Sequence, residues 1–314
     1  MPASRLFGFA LAAGLLSALL FLLLAKGFGS GIVLSYVAPL PTMMVGLALG
    51  GSAVLVAVGV GMAAVTVTTG GISGLLYLAA AALPCLVVTN RSLLWRDAAD
   101  GSVEWYPPGL VLAWLTALGL VLMIIGTWLV AGHPEGIKAW VTETIGQAVA
   151  LLAADVPADA RAKAVEWWVP LFPAMTTMSW LMMAVLNAVG AQALLVRSGR
   201  NRRPTPAYRD LWLPDWPAAL LAVLGLVGYA AEGDLGYVAA NMAVVLTVPF
   251  VFLGLAGIHR FAAAKPNARF ILGLVYALLI LAFGWAVAAV AGLGMVRFWK
   301  MRFRRRSNGG GMEG

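Results

Sequence analysis

Hydrophobic positions fall in long blocks along this chain, with polar residues gathered in short gaps between them. The longest charge-free block runs from residue 27 to 90, where no Asp, Glu, Lys, Arg or His occurs. A bilayer-crossing helix takes about 20 apolar residues. The block therefore predicts three spans, near residues 32–49, 52–67 and 72–88. Their connectors are the glycine pairs Gly50-Gly51 and Gly70-Gly71, which leave room only for a tight hairpin stack. Pro39 and Pro41 break the first of these spans or delay its start, because proline removes a helical donor.

An earlier apolar run covers residues 6–25 behind a single Arg5. It is too long for a signal peptide and lacks a small-x-small cleavage site, which predicts a retained first span with a cytoplasmic N-terminus. Ala10, Gly14 and Ala18 recur every four residues on one face of it. Lipid supplies no hydrophobic drive for helix pairing, so small residues at this spacing mark a surface another helix can approach. These three residues are the candidate partner interface. Alanine's abundance in any membrane helix supplies the blander explanation.

Five more apolar runs follow, near residues 108–131, 169–195, 217–231, 237–256 and 270–296. The longest polar insertion, residues 133–168, holds five acidic residues against Lys138, Arg161 and Lys163. Within it Ile137, Trp140, Val141, Ile145, Val149 and Leu152 recur at helical spacing. That pattern predicts an external amphipathic helix at the membrane surface, either a plain connector or a lid over an outward cavity. Trp167-Trp168 would anchor the next span at the interface.

Composition agrees with this picture. The chain is 62% hydrophobic and 11% charged, against about 25% charged in a soluble domain. The formal charge of +8 lies outside the apolar runs. Arg197, Arg200, Arg202, Arg203 and Arg209 form one cluster; Arg297, Lys300, Arg302, Arg304, Arg305 and Arg306 form another. The positive-inside rule accounts for both as cytoplasmic, without nucleic acid. One conflict results. Basic residues flank both sides of the last run, so counting every run as a crossing gives nine spans and a tail on the wrong side. An even total of about eight, with one run short, broken or re-entrant, restores the rule, and residues 217–231 are the shortest run. The expectation is an all-α polytopic bundle of about 8–9 spans forming a single integral membrane domain. Its parts are a helix stack (1–131), the external insertion (132–168), C-terminal spans (169–296) and a basic tail (297–314).

Catalytic raw material is scarce. A single cysteine, Cys85, excludes an intrachain disulfide, and two distant histidines give no metal cluster. There is no Walker A sequence, HExxH or GxSxG. No ionisable side chain sits in the middle of a predicted span, which argues against an ion-coupled pump. The sequence thus predicts no catalytic residue, metal or cofactor. What remains at depth is polar and uncharged: Thr66, Tyr77, Asn187 and Asn241 are the candidate ligand-binding residues. Each would serve equally as helix-to-helix glue.

Several stretches together resemble the YybS-type family of bacterial membrane proteins. They are PLPTMMVGLALG at residues 39–50, LPCLVV at 83–88, and PLFPA at 170–174 ahead of Asn187. LWLPDWP at 211–217, Asn241 with PFVFLGLAGIH at 249–259, and GLGMVRFWKMRFRRR at 292–306 complete the set. Met295 stands where that family often carries an acidic residue. The N-terminal half, residues 6–88, is also remotely similar to the S components of energy-coupling factor vitamin transporters. That resemblance implies an inner-membrane solute-binding subunit without its own ATPase. Ala10, Gly14 and Ala18 would then dock on a membrane coupling subunit that works with an ATPase. S components have about six spans, fewer than are predicted here. Cell-shape scaffolds belong to the same broad group and imply the alternative, a scaffold recruiting cytoplasmic or cell-envelope machinery.

Overall fold

The computed structural model describes residues 3–25 and 29–309. It is helical nearly throughout, with one small β-hairpin. Among the described residues, six helical stretches are long and apolar enough to cross a membrane, and three shorter apolar helices accompany them. The chain divides into two compact units, Met1–Leu118 with Ser179–Ala207, and Gly119–Met178 with Tyr208–Gly314. Each is therefore built from two separated segments, not from consecutive stretches of chain.

The first unit begins with α1 (Ala3–Ala25), α2 (Gly29–Tyr36), α3 (Pro39–Leu49) and α4 (Gly51–Thr69). Then comes α5 (Gly71–Tyr77), which passes through a π-helical turn, Leu78–Ala82, into α6 (Leu83–Ser92). The glycine turns fall where the sequence predicts them. Gly50 and Gly70 adopt φ of 104° and 93°, a conformation nearly reserved for glycine, and each is the single residue between two helices. After Gly70 the chain doubles back, so Gly74 packs on Thr66, and Gly61 meets the Tyr77 ring. The π-turn has an identifiable cause. Pro84 cannot donate to Ala80, which frees that carbonyl, and Trp180 Nε1 donates to it at 3.1 Å.

Helix α1 lies along α4 with small residues between them. A β-carbon at Gly14 would overlap the Ala57 carbonyl, and Ala10 and Ala13 pack with Ala53 and Ala57. The hairpin pairs β1 (Trp95–Asp97) with β2 (Val103–Trp105), Trp95 opposite Trp105, and Arg96 meets Glu104 at 2.7 Å.

Helices α7 (Pro108–Leu129), α8 (Ile137–Leu152), α9 (Ala158–Trp168) and α10 (Phe172–Arg197) follow, then α11 (Trp216–Ala230) and α12 (Gly233–Val245). The polar insertion differs from its sequence reading. It forms two helices parted before Pro157, and α9 runs through a short 3-10 turn into α10 without leaving the helical path. Its amphipathic character holds for α8: Ile137, Val141 and Ile145 are buried with Val169, whereas Trp140 and Leu152 are exposed. Asp234 Oδ1 accepts from the Ile137 amide at 2.9 Å, satisfying one of the orphan donors at the start of α8.

The second unit ends with α13 (Val248–Ala263), α14 (Ala268–Leu281) and α15 (Phe283–Gly309). These three change the reading of the last apolar run. The run breaks at Ala282. Helix α14 turns back along α13, where His259 Nε2 and Tyr276 Oη lie 2.9 Å apart. Helix α15 then runs parallel to α13. Gly294 packs on Phe250 and Gly254, and three residues further along both helices Gly257 meets Arg297. The basic groups after α13 and those on α15 therefore share one end. The sequence placed the weak run at residues 217–231; that helix is short, but the run that breaks and doubles back is the last one.

Candidate functional site

The uncharged polar residues of the first unit gather in a seam. Tyr77 is fully buried and donates through Oη to Ser17 Oγ at 2.8 Å. Thr42 faces the same ring but lies outside hydrogen-bond geometry, and its hydroxyl is buried without a partner. The Thr89 hydroxyl is likewise buried and unpartnered, pressed against Gly46. Asn187 Nδ2 donates to the Tyr36 carbonyl at 2.7 Å and to the Met183 carbonyl at 2.8 Å, and the Tyr36 hydroxyl pairs with Ser179.

Of the four predicted ligand-binding residues, Tyr77 and Asn187 are buried here, and Thr66 is exposed beside Gly74. Asn241 belongs to the second unit. There it is a cross-brace: Nδ2 donates to the Pro170 carbonyl at 3.0 Å and Oδ1 accepts from the Ala174 amide at 3.0 Å. That is the glue role, since it ties α12 to the start of α10. Sequence reasoning missed Ser17, Thr42 and Thr89. The only available signal was the adjacency of Thr42 to the Pro39-Leu40-Pro41 break.

The predicted partner face is corrected. Ala10 and Ala18 are buried and Gly14 is in backbone contact with α4, so the chain itself covers this face. The physical logic was sound, because small residues did admit a close helix, and that helix is internal.

The basic clusters also separate into different roles. Arg197 and Arg200 are exposed. Arg202 Nε donates to the Ala48 carbonyl at 2.9 Å, beside the Gly50 turn. Arg203 departs furthest from a solvated cluster. It is 5% exposed, donates to the Ser92 carbonyl at 2.9 Å, and lies over the Trp105 ring at 5.7 Å. On α15, Arg302 pairs with Asp215 at 3.1 Å, and the side chains of Arg305 and Arg306 lie outside the described residues.

Between α13 and α15 lies a groove of about 510 Å³. Arg260, Arg297, Lys300 and Arg304 line it together with apolar residues, and none of its lining residues is acidic. Arg297 is braced by the Leu253 carbonyl at 3.1 Å and the Arg209 carbonyl at 2.7 Å. Desolvation first and Arg260 second lower its pKa, with Asp210 opposing; an arginine remains charged regardless.

A family model described as a predicted membrane protein, DUF2232, matches residues 15–296. The chain belongs to this family. Membership agrees with the apolar helices and makes the protein a membrane protein. The DUF2232 match takes in Ser17, Thr42, Tyr77 and Thr89, and it ends one residue before Arg297. No curated protein and no solved structure matches the chain.

Proposed function

We propose that this DUF2232 protein is a non-enzymatic, multi-pass subunit of the inner membrane that binds a small uncharged solute. It would work with partner subunits, a coupling subunit and an ATPase among them, and have its N-terminus in the cytoplasm. The observation that carries the reading is the seam of the first unit. Tyr77, Ser17, Thr42 and Thr89 bring four hydroxyls into the helix stack, and two of them are buried without a partner. A buried polar group left unpaired costs about 1–3 kcal/mol, so it is tolerated best where a ligand or water engages it. The predicted spans bring no acid or base to mid-depth, which suits an uncharged solute and gives no means of ion coupling. The stack of α1 on glycine-turned hairpins supports likeness to S components. The covered Gly14 face counts against docking through those residues.

Purification in mild detergent from the native membrane, with partners identified by mass spectrometry, tests this reading. Co-purifying ATPase and coupling subunits are expected, together with reduced uptake of at least one uncharged vitamin in depleted cells. Unchanged uptake of every solute tested would sink the reading. Gly14→Leu would overlap Ala57 and disturb the stack itself, whereas Thr42→Val and Thr89→Val test the seam directly.

A second reading, a scaffold, rests on the exposed arginines of residues 197–200 and the basic end of α15. Arg197→Gln and Arg200→Gln together would then delocalise a cytoplasmic partner. Intact partner localisation would count against it.

A further inference from the structure

The groove between α13 and α15 has a polarity gradient. Because the two helices run parallel, their sequences change character in the same direction. On α13 the lining passes from Gly257 and Ile258 to Arg260 and Phe261; on α15 it passes from Leu293 and Val296 to Arg297, Lys300 and Arg304, with Met301 among these cations. The apolar half and the cationic half are thus stacked along the helix axes. At about 1.5 Å per residue, the α15 side of the groove from Leu293 to Arg304 is about 16 Å long. The α13 side lies at the end of a candidate span, Gly233–Ala263. Gly257 has no side chain to fill the groove, and Arg297 is held beside it by two carbonyls.

We propose that this groove is a binding site for an anionic phospholipid, with the phosphate held by Arg260, Arg297 and Lys300 and one acyl chain lying over Gly257, Ile258 and Leu293. Three features select that occupant. The charge complements a phosphate, and an arginine presents paired donors to its oxygens. The apolar half continues on the side a lipid's tail must occupy. The cationic half stands at a span end, where headgroups are found, and basic pockets between membrane helices are known to take such groups. Among the described residues Lys300 makes no ion pair, and Arg260 meets Asp210 only at 3.7 Å between exposed groups. Both cations are available to a headgroup.

The full-length protein would be placed in nanodiscs of phosphatidylcholine doped with phosphatidylglycerol or cardiolipin, then ejected and weighed by native mass spectrometry. Wild type is expected to retain the anionic lipid over phosphatidylcholine. Arg260→Gln with Lys300→Gln should weaken retention about thirtyfold, at about fivefold per basic residue near a membrane surface. Gly257→Leu keeps every charge and fills the groove; a β-carbon there meets only the flexible Arg297 side chain, at 3.4 Å. It too should lose the lipid, with a melting temperature no lower than that of wild type. Full retention by the double variant would overturn the proposal. So would displacement by inorganic phosphate with Gly257→Leu inert, which would mark a free-phosphate site. Loss of the lipid to a co-purified acidic protein segment would overturn it in favour of a protein partner.

Discussion

Around Gly14 in the first unit, and around Gly254 and Gly294 in the second, helix meets helix with no room for a β-carbon. What lies beside each contact differs. In the first unit the neighbours are alanines and a buried tyrosine-serine pair, so glycine closes the stack and brings hydroxyls inward. In the second unit the next glycine along the same helix, Gly257, faces an arginine across a groove, so the missing side chain leaves space instead of removing it. A glycine in a membrane helix is thus not a function in itself. Its effect depends on whether the partner at that turn is a backbone or a long cationic side chain.

The comparison can be broken at its strongest point by Gly294→Leu. Its side chain would enter the Phe250 backbone, which cannot swing aside. A cost of about 3 kcal/mol or more is expected, from the upper range for overpacking. A thermal melt in detergent followed by tryptophan fluorescence would show it, and a melt equal to wild type would mean the two helices are not closely packed. Asn241→Ala comes next. It removes the acceptor of the buried Ala174 amide and two donated bonds, for an expected loss of about 2 kcal/mol. Amide hydrogen exchange should rise at Ala174. The smallest effect is Tyr77→Phe, which deletes one hydroxyl and leaves Ser17 Oγ without its donor. About 1 kcal/mol is expected. If the seam holds a solute, this variant should lower solute retention by more than it lowers stability, which separates a binding seam from a purely structural one.

The helical membrane architecture was legible because long uncharged runs have no other stable solution. So were the turns at Gly50 and Gly70, since nothing but glycine could join helices that close. Helix direction was not legible. Residues 270–296 read as one crossing, and no proline or glycine pair announces the reversal at Ala282; it is set by α15 packing against α13. Tertiary packing also decided the fate of the small-residue face, because four-residue spacing states that a helix will approach and never which one. The basic clusters show the same limit. Arg203 and Arg200 stand three apart in sequence, yet one is a buried strut beneath the β-hairpin and the other is exposed. Tyr77 and Asn187 were legible as polar groups at depth and are buried, but the hydroxyls of Ser17, Thr42 and Thr89 carried no pattern that chemistry alone could pick out.

The reversal at Ala282 bears on how the chain is put into a bilayer during synthesis. Helix α14 has 14 residues and spans about 21 Å, short of a hydrocarbon core of about 30 Å. A machine that threads helices one at a time gains little by committing α14 alone, and α15 finds its glycine-lined bed only once α13 stands in place. The two legs should therefore enter together, as a late pair pushed in from the basic side, with α13 as their template.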